Sequence, residues 1–217
     1  MIKYSGRYTI FPMKVIAFNG SPHSDRGVAQ GIAVMKGELE KEGISVEVVH
    51  VGNKNIQGCL DCRKCMELKR CVIEGDLVNE ALEMLKTADG IILGSPVFYS
   101  GVAGTFKCFL DRLFFSRPDL KFKAGATVVS VRRTGGVAAF HQLNNYFNLA
   151  QVIITPGVYW NVIHGRSQQE FAQDVEGNGI METQGKNMAW LIKTLAAGKK
   201  EVPLHEQPKR VLTNFIR

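Results

Sequence analysis

ADGIILGSPVFYSGVAGTFKCFLDR, residues 88–112, decides how the rest of the chain is read. Gly90-Ile91-Ile92-Leu93-Gly94 is a short apolar, β-branched run of the kind that forms a strand buried on both faces. Ser95 to Gly101 breaks it with Pro, Ser and Gly, and from Gly104 to Phe115 the apolar residues recur at helical spacing. Strand, turn and helix in that order form one unit of an α/β protein.

The same unit recurs on either side. Lys14 to Phe18 predicts a strand, Asn19-Gly20-Ser21-Pro22 a turn, and Gly31 to Glu40 a helix closed by Gly43. Val46 to His50 predicts a second strand, and Asp76 to Lys86 a helix with Leu77, Val78, Ala81, Leu82 and Leu85 on one face. Ala126 to Val131 and Gln151 to Thr155 read as two more strands with a helix at His141 to Leu149 between them, and Gly185 to Ala197 as a final helix. Five apolar strands alternating with helices imply a doubly wound parallel sheet covered on both faces. In such a sheet ligands bind beyond the carboxyl ends of the strands, where the strand order reverses.

Composition limits the function. The chain has 217 residues, 45% of them hydrophobic, enough for one domain with a real core. No run approaches the roughly 18 apolar residues of a membrane span, and MIKYSGRYTIFP lacks the apolar centre of a signal peptide. The expectation is a cytoplasmic protein without a membrane partner. The net charge of +7 suits a phosphorylated cofactor, but the basic residues are scattered without an aromatic-interleaved stripe, which argues against nucleic acid.

Four of the five cysteines fall within residues 59–71, spaced C-x2-C-x2-C-x5-C in NIQGCLDCRKCMELKRCVIEGD. In a reducing compartment such clustered thiols are metal ligands or redox groups more often than a disulfide framework. Zinc sites usually join two C-x2-C knuckles across a long gap, whereas compact runs are commoner in iron–sulfur proteins. Three cysteines at steps of three would fan out around a helix, so common ligation requires a wrapping loop, which Gly58 and Gly75 permit. A cluster, zinc and a labile disulfide all remain open on spacing alone. Cys108, apolar-flanked in GTFKCFLDRLFF, reads as a buried structural thiol, and the five histidines as bland apart from His23.

Three turns carry candidate binding residues. The first, residues 19–30, runs into a helix whose N-terminal amides and dipole suit a phosphate against Ser21. The second, Ser95 to Gly101, offers Pro96, Phe98 and Tyr99 to a flat ring, and the third, Val131-Arg132-Arg133-Thr134-Gly135-Gly136, offers guanidinium groups beside glycines.

KVIAFNGSPHSDRGVAQ, the stretch from residue 88, and the cysteine run between them together resemble the NADPH-dependent FMN reductase branch of the flavodoxin-like superfamily, and within it the iron–sulfur flavoproteins, over roughly Met13 to Leu195. The resemblance implies strand order 2-1-3-4-5 and FMN. Its phosphate would lie at Ser21, His23, Arg26, Gly27, Val28 and Ala29, its ring along Ser95, Pro96, Val97, Phe98, Tyr99 and Gly101, and its pyrimidine edge at Arg132, Gly135 and Gly136. It further implies a [4Fe–4S] cluster on Cys59, Cys62, Cys65 and Cys71. Relatives read G-S-P-R-x-x-S/G-N-T, whereas His23, Gly27 and Val28 replace Arg, Asn and Thr here; backbone amides then carry the phosphate, and Arg26 supplies a replacement charge.

The function implied is an FMN oxidoreductase taking electrons from NAD(P)H or a ferredoxin to a quinone, a nitro or azo compound, a metal ion or a protein. The flavin carries the chemistry, so no catalytic side chain is assigned. A non-enzymatic electron carrier and a metal-stabilised interaction module are the alternatives. The domain is expected at residues 13–198 with a cysteine-rich insertion at 55–76. Residues 1–12 would be an extension. The tail 199–217, with Val211, Leu212, Phe215 and Ile216, or the Phe98-Tyr99 turn would pack on a neighbour in a homodimer or homotetramer.

Overall fold

The computed structural model describes residues 13–207 and residues 211, 213 and 215. The expected extension, residues 1–12, and Leu212 and Ile216 of the tail lie outside the described residues. Five strands follow the order β2 (Ser45–His50), β1 (Lys14–Asn19), β3 (Gly90–Phe98), β5 (Ala124–Val131) and β6 (Ile153–Ile154), with β4 (Gly101–Val102) added to β3 and β7 (Val162–His164) to β5, seven among the described residues. β1 (Lys14–Asn19) pairs in parallel with β2 (Ser45–His50) on one side and β3 (Gly90–Phe98) on the other, and β3 pairs in parallel with β5 (Ala124–Val131). With the small strands counted apart, this is the flavodoxin-like order 2-1-3-4-5.

Side chains alternate across a strand, so each apolar run feeds two cores. Val15, Ala17, Ile92 and Val128 meet α1 (Gly27–Lys41) and α7 (Val175–Glu201) through Val28, Ile32, Met35, Met181 and Met188. Ile16, Phe18, Ile91, Leu93 and Val129 meet Leu82 and Leu85 of α3 (Leu77–Lys86), Phe106, Phe109 and Leu113 of α4 (Gly104–Phe115), and Leu143 and Phe147 of α5 (Gly136–Leu149). Among the described residues no helix is long and apolar enough to cross a membrane.

Several boundaries differ from the sequence expectation. β3 does not stop at Gly94: Ser95 and Pro96 keep their register with Val129 and Ser130, and the chain turns back through Tyr99 and Ser100 into β4 (Gly101–Val102). The fifth strand is only β6 (Ile153–Ile154); after the Pro156-Gly157 break, β7 (Val162–His164) resumes pairing with the far end of β5. The first helix starts at Gly27 and α5 at Gly136, each directly at its turn. α7 begins ten residues before Gly185, preceded by the unforeseen α6 (Gln168–Gln173).

Candidate functional site

β1, β3 and β5 are neighbours, so their three following turns emerge together at one end of the sheet. The first is tightly locked. The Asn19 carboxamide accepts from the Ser21 N–H at 2.9 Å, the Ser21 hydroxyl accepts from the His23 N–H at 3.1 Å, and the Gly20 N–H donates to the Gly94 carbonyl at 2.8 Å. His50 Nε2 lies 2.7 Å from the Ser21 carbonyl; a carbonyl only accepts, so this nitrogen carries the proton. Sequence reasoning passed over His50, although its place at the end of β2, in register with Asn19, puts it beside the turn.

α1 makes its first ladder bond from the Gln30 N–H to the Arg26 carbonyl, which leaves the amides of Gly27, Val28 and Ala29 outside the ladder with no side-chain cap. Val28 is fully buried and packs toward Gly94, and Gly27 is backed by the Phe171 ring of α6. Those two positions present backbone only, while His23 and Arg26 are exposed beside them. Free amides at a fifteen-residue helix terminus with a cation alongside fit a phosphate.

In the second turn the Ser95 hydroxyl accepts from the Ala103 N–H at 3.1 Å, and Gln142 Oε1 accepts from the Val102 N–H at 3.0 Å, fixing the β3–β4 hairpin to α5. Tyr99 at its tip holds φ +59°, a strained conformation for an aromatic residue, and its side chain is fully exposed. Phe98 is half exposed. Gly135, at φ +89° in the N-cap position before α5, would bring a Cβ to 3.2 Å from Val97, so the second and third turns touch. Arg132 and Arg133 are exposed. A groove of about 330 Å³ continues from Gly135 and Gly136 between Tyr159, Trp160 and His164, residues the sequence reading did not assign.

The cysteine segment wraps over the outer end of α4, with α2 (Cys65–Leu68) as one short turn within it. Asp61, Arg63 and Lys69 take positive φ, and these left-handed steps defeat the helical fan-out, so that Cys59, Cys62, Cys65 and Cys71 all line one small cavity closed by Arg112, Phe115 and Ser116. Cys65 is buried, Cys71 half-buried, and Cys59 and Cys62 exposed. Burial pushes the Cys65 thiol pKa up, and Ser116 offsets part of that. Among the described residues no three His, Cys, Asp or Glu side chains gather as tightly as one metal ion would require; the thiols share a cavity without closing on a point. Four thiols and no carboxylate or imidazole in the lining, with the Ser116 hydroxyl its one side-chain oxygen, fit an iron–sulfur group. Cys108 is half-buried rather than buried, beside Gly58.

The unforeseen residue here is Arg112, 2% exposed. Its Nε donates to Cys71 Sγ at 3.2 Å, Nη1 to the Gln57 carbonyl at 3.1 Å and to Asp76, and Nη2 to the Ile73 carbonyl at 3.0 Å and to Asp76 Oδ1 at 3.2 Å. Burial works against its charge, but the bonds to Asp76 and Cys71 outweigh it, and the guanidinium pKa lies above its ordinary value. Asp76 also caps α3, accepting from the Val78 N–H at 3.2 Å.

A flavodoxin-like sheet with three such turns at its carboxyl end defines a class of cofactor-binding α/β proteins, and comparison narrows it. The family model for NADPH-dependent FMN reductase matches residues 13–167. An iron–sulfur flavoprotein of Methanocaldococcus jannaschii is 31% identical over 195 residues, 84% of this chain and 99% of that protein. One from Archaeoglobus fulgidus is 33% identical over 138 residues, covering 63% and 61%. Among solved structures, RosB with a bound riboflavin-phosphate intermediate superposes with TM-score 0.68 at 17% identity, covering 94% of each chain. An archaeal flavodoxin gives 0.55 at 17% identity, covering 83% of this chain and 99% of that one. The chain belongs to the NADPH-dependent FMN reductase family, in its iron–sulfur flavoprotein branch.

Proposed function

We propose that this protein is an FMN-dependent oxidoreductase that takes electrons from NAD(P)H or a reduced ferredoxin and passes them to a quinone, nitro or azo compound, metal ion or protein. A [4Fe–4S] group held by Cys59, Cys62, Cys65 and Cys71 serves as its second redox centre. FMN, when bound, exchanges electrons in pairs or singly, and the iron–sulfur group singly. The amides of Gly27, Val28 and Ala29 hold the phosphate, and the touching second and third turns orient the ring and keep water off one face.

The observation that carries the reading is the convergence of all four thiols on one cavity against α4, the helix whose other end follows the flavin turn. Twelve residues of helix span about 18 Å, so the two sites share one rigid element. Exposed Lys64, Lys69 and Arg117 around the cysteine segment suit an acidic electron donor such as a ferredoxin. Steady consumption of NAD(P)H with an added acceptor separates this enzyme from a mere electron carrier.

Replacing Cys65 by Ser should bleach a broad absorption near ~400 nm and lower the iron content while the FMN bands persist, because each iron of a cubane takes one thiolate. Stoichiometric zinc without iron in anaerobic wild-type protein, or an iron content unaffected by the replacement, would refute the cluster.

The surface supports self-assembly. Tyr99, Tyr159 and Trp160 are exposed near the flavin turns, and Val211 and Phe215 of the tail are exposed as well. Apolar rings around a site that must exclude water suit a second copy of the chain. Sedimentation should find a dimer or tetramer at micromolar concentration; a monomer would contradict it.

A further inference from the structure

Arg112 lies outside the flavin turns and is not a ligand, yet it is the most heavily bonded side chain of the cysteine cavity. A guanidinium has five N–H groups, and the contacts to Cys71, Gln57, Ile73 and the two oxygens of Asp76 engage all of them. The carbonyls it binds belong to the two ends of the cysteine loop. Asp76 holds the far side of the fork, so the buried pair is a fixed dipole whose donor Nε points at sulfur.

We infer that Arg112 is a positioning residue that sets the reduction potential of the iron–sulfur group through its bond to Cys71, with Asp76 as the opposing weight. This rests on the cluster reading above. Adding one electron makes the group and its sulfurs more negative, and a donor or positive charge at a ligating sulfur stabilises that reduced form, raising the potential. Removing the guanidinium should therefore lower it. Removing the carboxylate charge leaves the guanidinium uncompensated and should raise it. A residue that merely pins the loop would lower iron content and melting temperature in both variants without opposite shifts in potential.

The test is an anaerobic spectroelectrochemical titration of the wild type, Arg112→Gln, Arg112→Lys and Asp76→Asn, each with iron and acid-labile sulfide measured. The expected result is a tenfold or larger change in the reduced-to-oxidised ratio at fixed potential. For one electron that is about 59 mV, downward for Arg112→Gln and upward for Asp76→Asn. Arg112→Lys should fall on the same side as Arg112→Gln, since lysine cannot keep the fork and reach sulfur together. Should the variants fail to hold iron, the wild type suffices: protein grown on ¹⁵N-arginine and reduced should show nitrogen coupling to the cluster spin in pulsed electron paramagnetic resonance. Iron-loaded variants with unchanged potentials, or no such coupling, overturn the role of Arg112 and leave the cluster standing. Wild-type protein without iron overturns the cluster reading itself, and this role with it.

Discussion

Gly52→Ala should weaken FMN binding at least tenfold while leaving the sheet intact. A Cβ at this position would lie 2.2 Å from the Ser21 carbonyl oxygen and 2.4 Å from that of Gly20, and both are backbone atoms that cannot swing aside like a side chain. The Gly52 N–H also donates to the Asn19 carbonyl at 3.1 Å, so the added methyl group levers on the turn it is bonded to. Displacing Ser21 breaks its contacts with His23 and His50 and shifts the turn that leads into the free amides of α1. Losing two hydrogen bonds at about 1 kcal/mol each is worth more than a factor of ten. The pairings of Val15 to Phe18 lie below the turn, so far-ultraviolet circular dichroism should hold. Titration of the apoprotein with FMN, followed by flavin fluorescence, measures the affinity. An unchanged dissociation constant would mean that this turn does not carry the phosphate.

Gly52 also shows where sequence reasoning ends. β1, β3 and β5 are legible because each is a dense apolar run whose alternate residues both find a core, and the turns after them follow from topology. Gly52 and His50 act on the first turn from the end of β2, about thirty residues away in sequence, and nothing local marks them. Edge elements fail differently. β6 and β7 have two and three residues, too few for periodicity to register, and it takes the pairing with β5 to define them. The first turns of α7 carry Glu176, Gly177, Asn178 and Gly179, a poor helix by composition, held instead by the Asp174 cap and the packing of Ile180 and Met181. The four cysteines are visible as a spacing, but their sharing of one cavity depends on left-handed steps at Asp61, Arg63 and Lys69, and only Asp61 is of a type that favours such a step.

Arg112 ends the stretch from which the whole fold can be read, yet nothing near it in sequence shows that it is buried. Its partners stand 36 to 55 residues earlier, in a segment whose one short helical turn, α2, holds none of them. Burying that ion pair makes the loss of either partner costly. Asp76→Asn keeps the helix cap but strands a guanidinium inside the protein, and Arg112→Met strands the carboxylate; each should cost about 3–5 kcal/mol. The double variant carries no buried charge. It still leaves the Gln57 and Ile73 carbonyls without their donor, so it should not regain wild-type stability. Its loss should nonetheless fall short of the sum of the single losses by about 2 kcal/mol or more, the coupling of two charges held in one network. Urea denaturation of the four proteins, prepared with the same cofactor content, gives the cycle. Additive losses would mean that the two side chains act separately, and the dipole aimed at Cys71 would then have no fixed second pole.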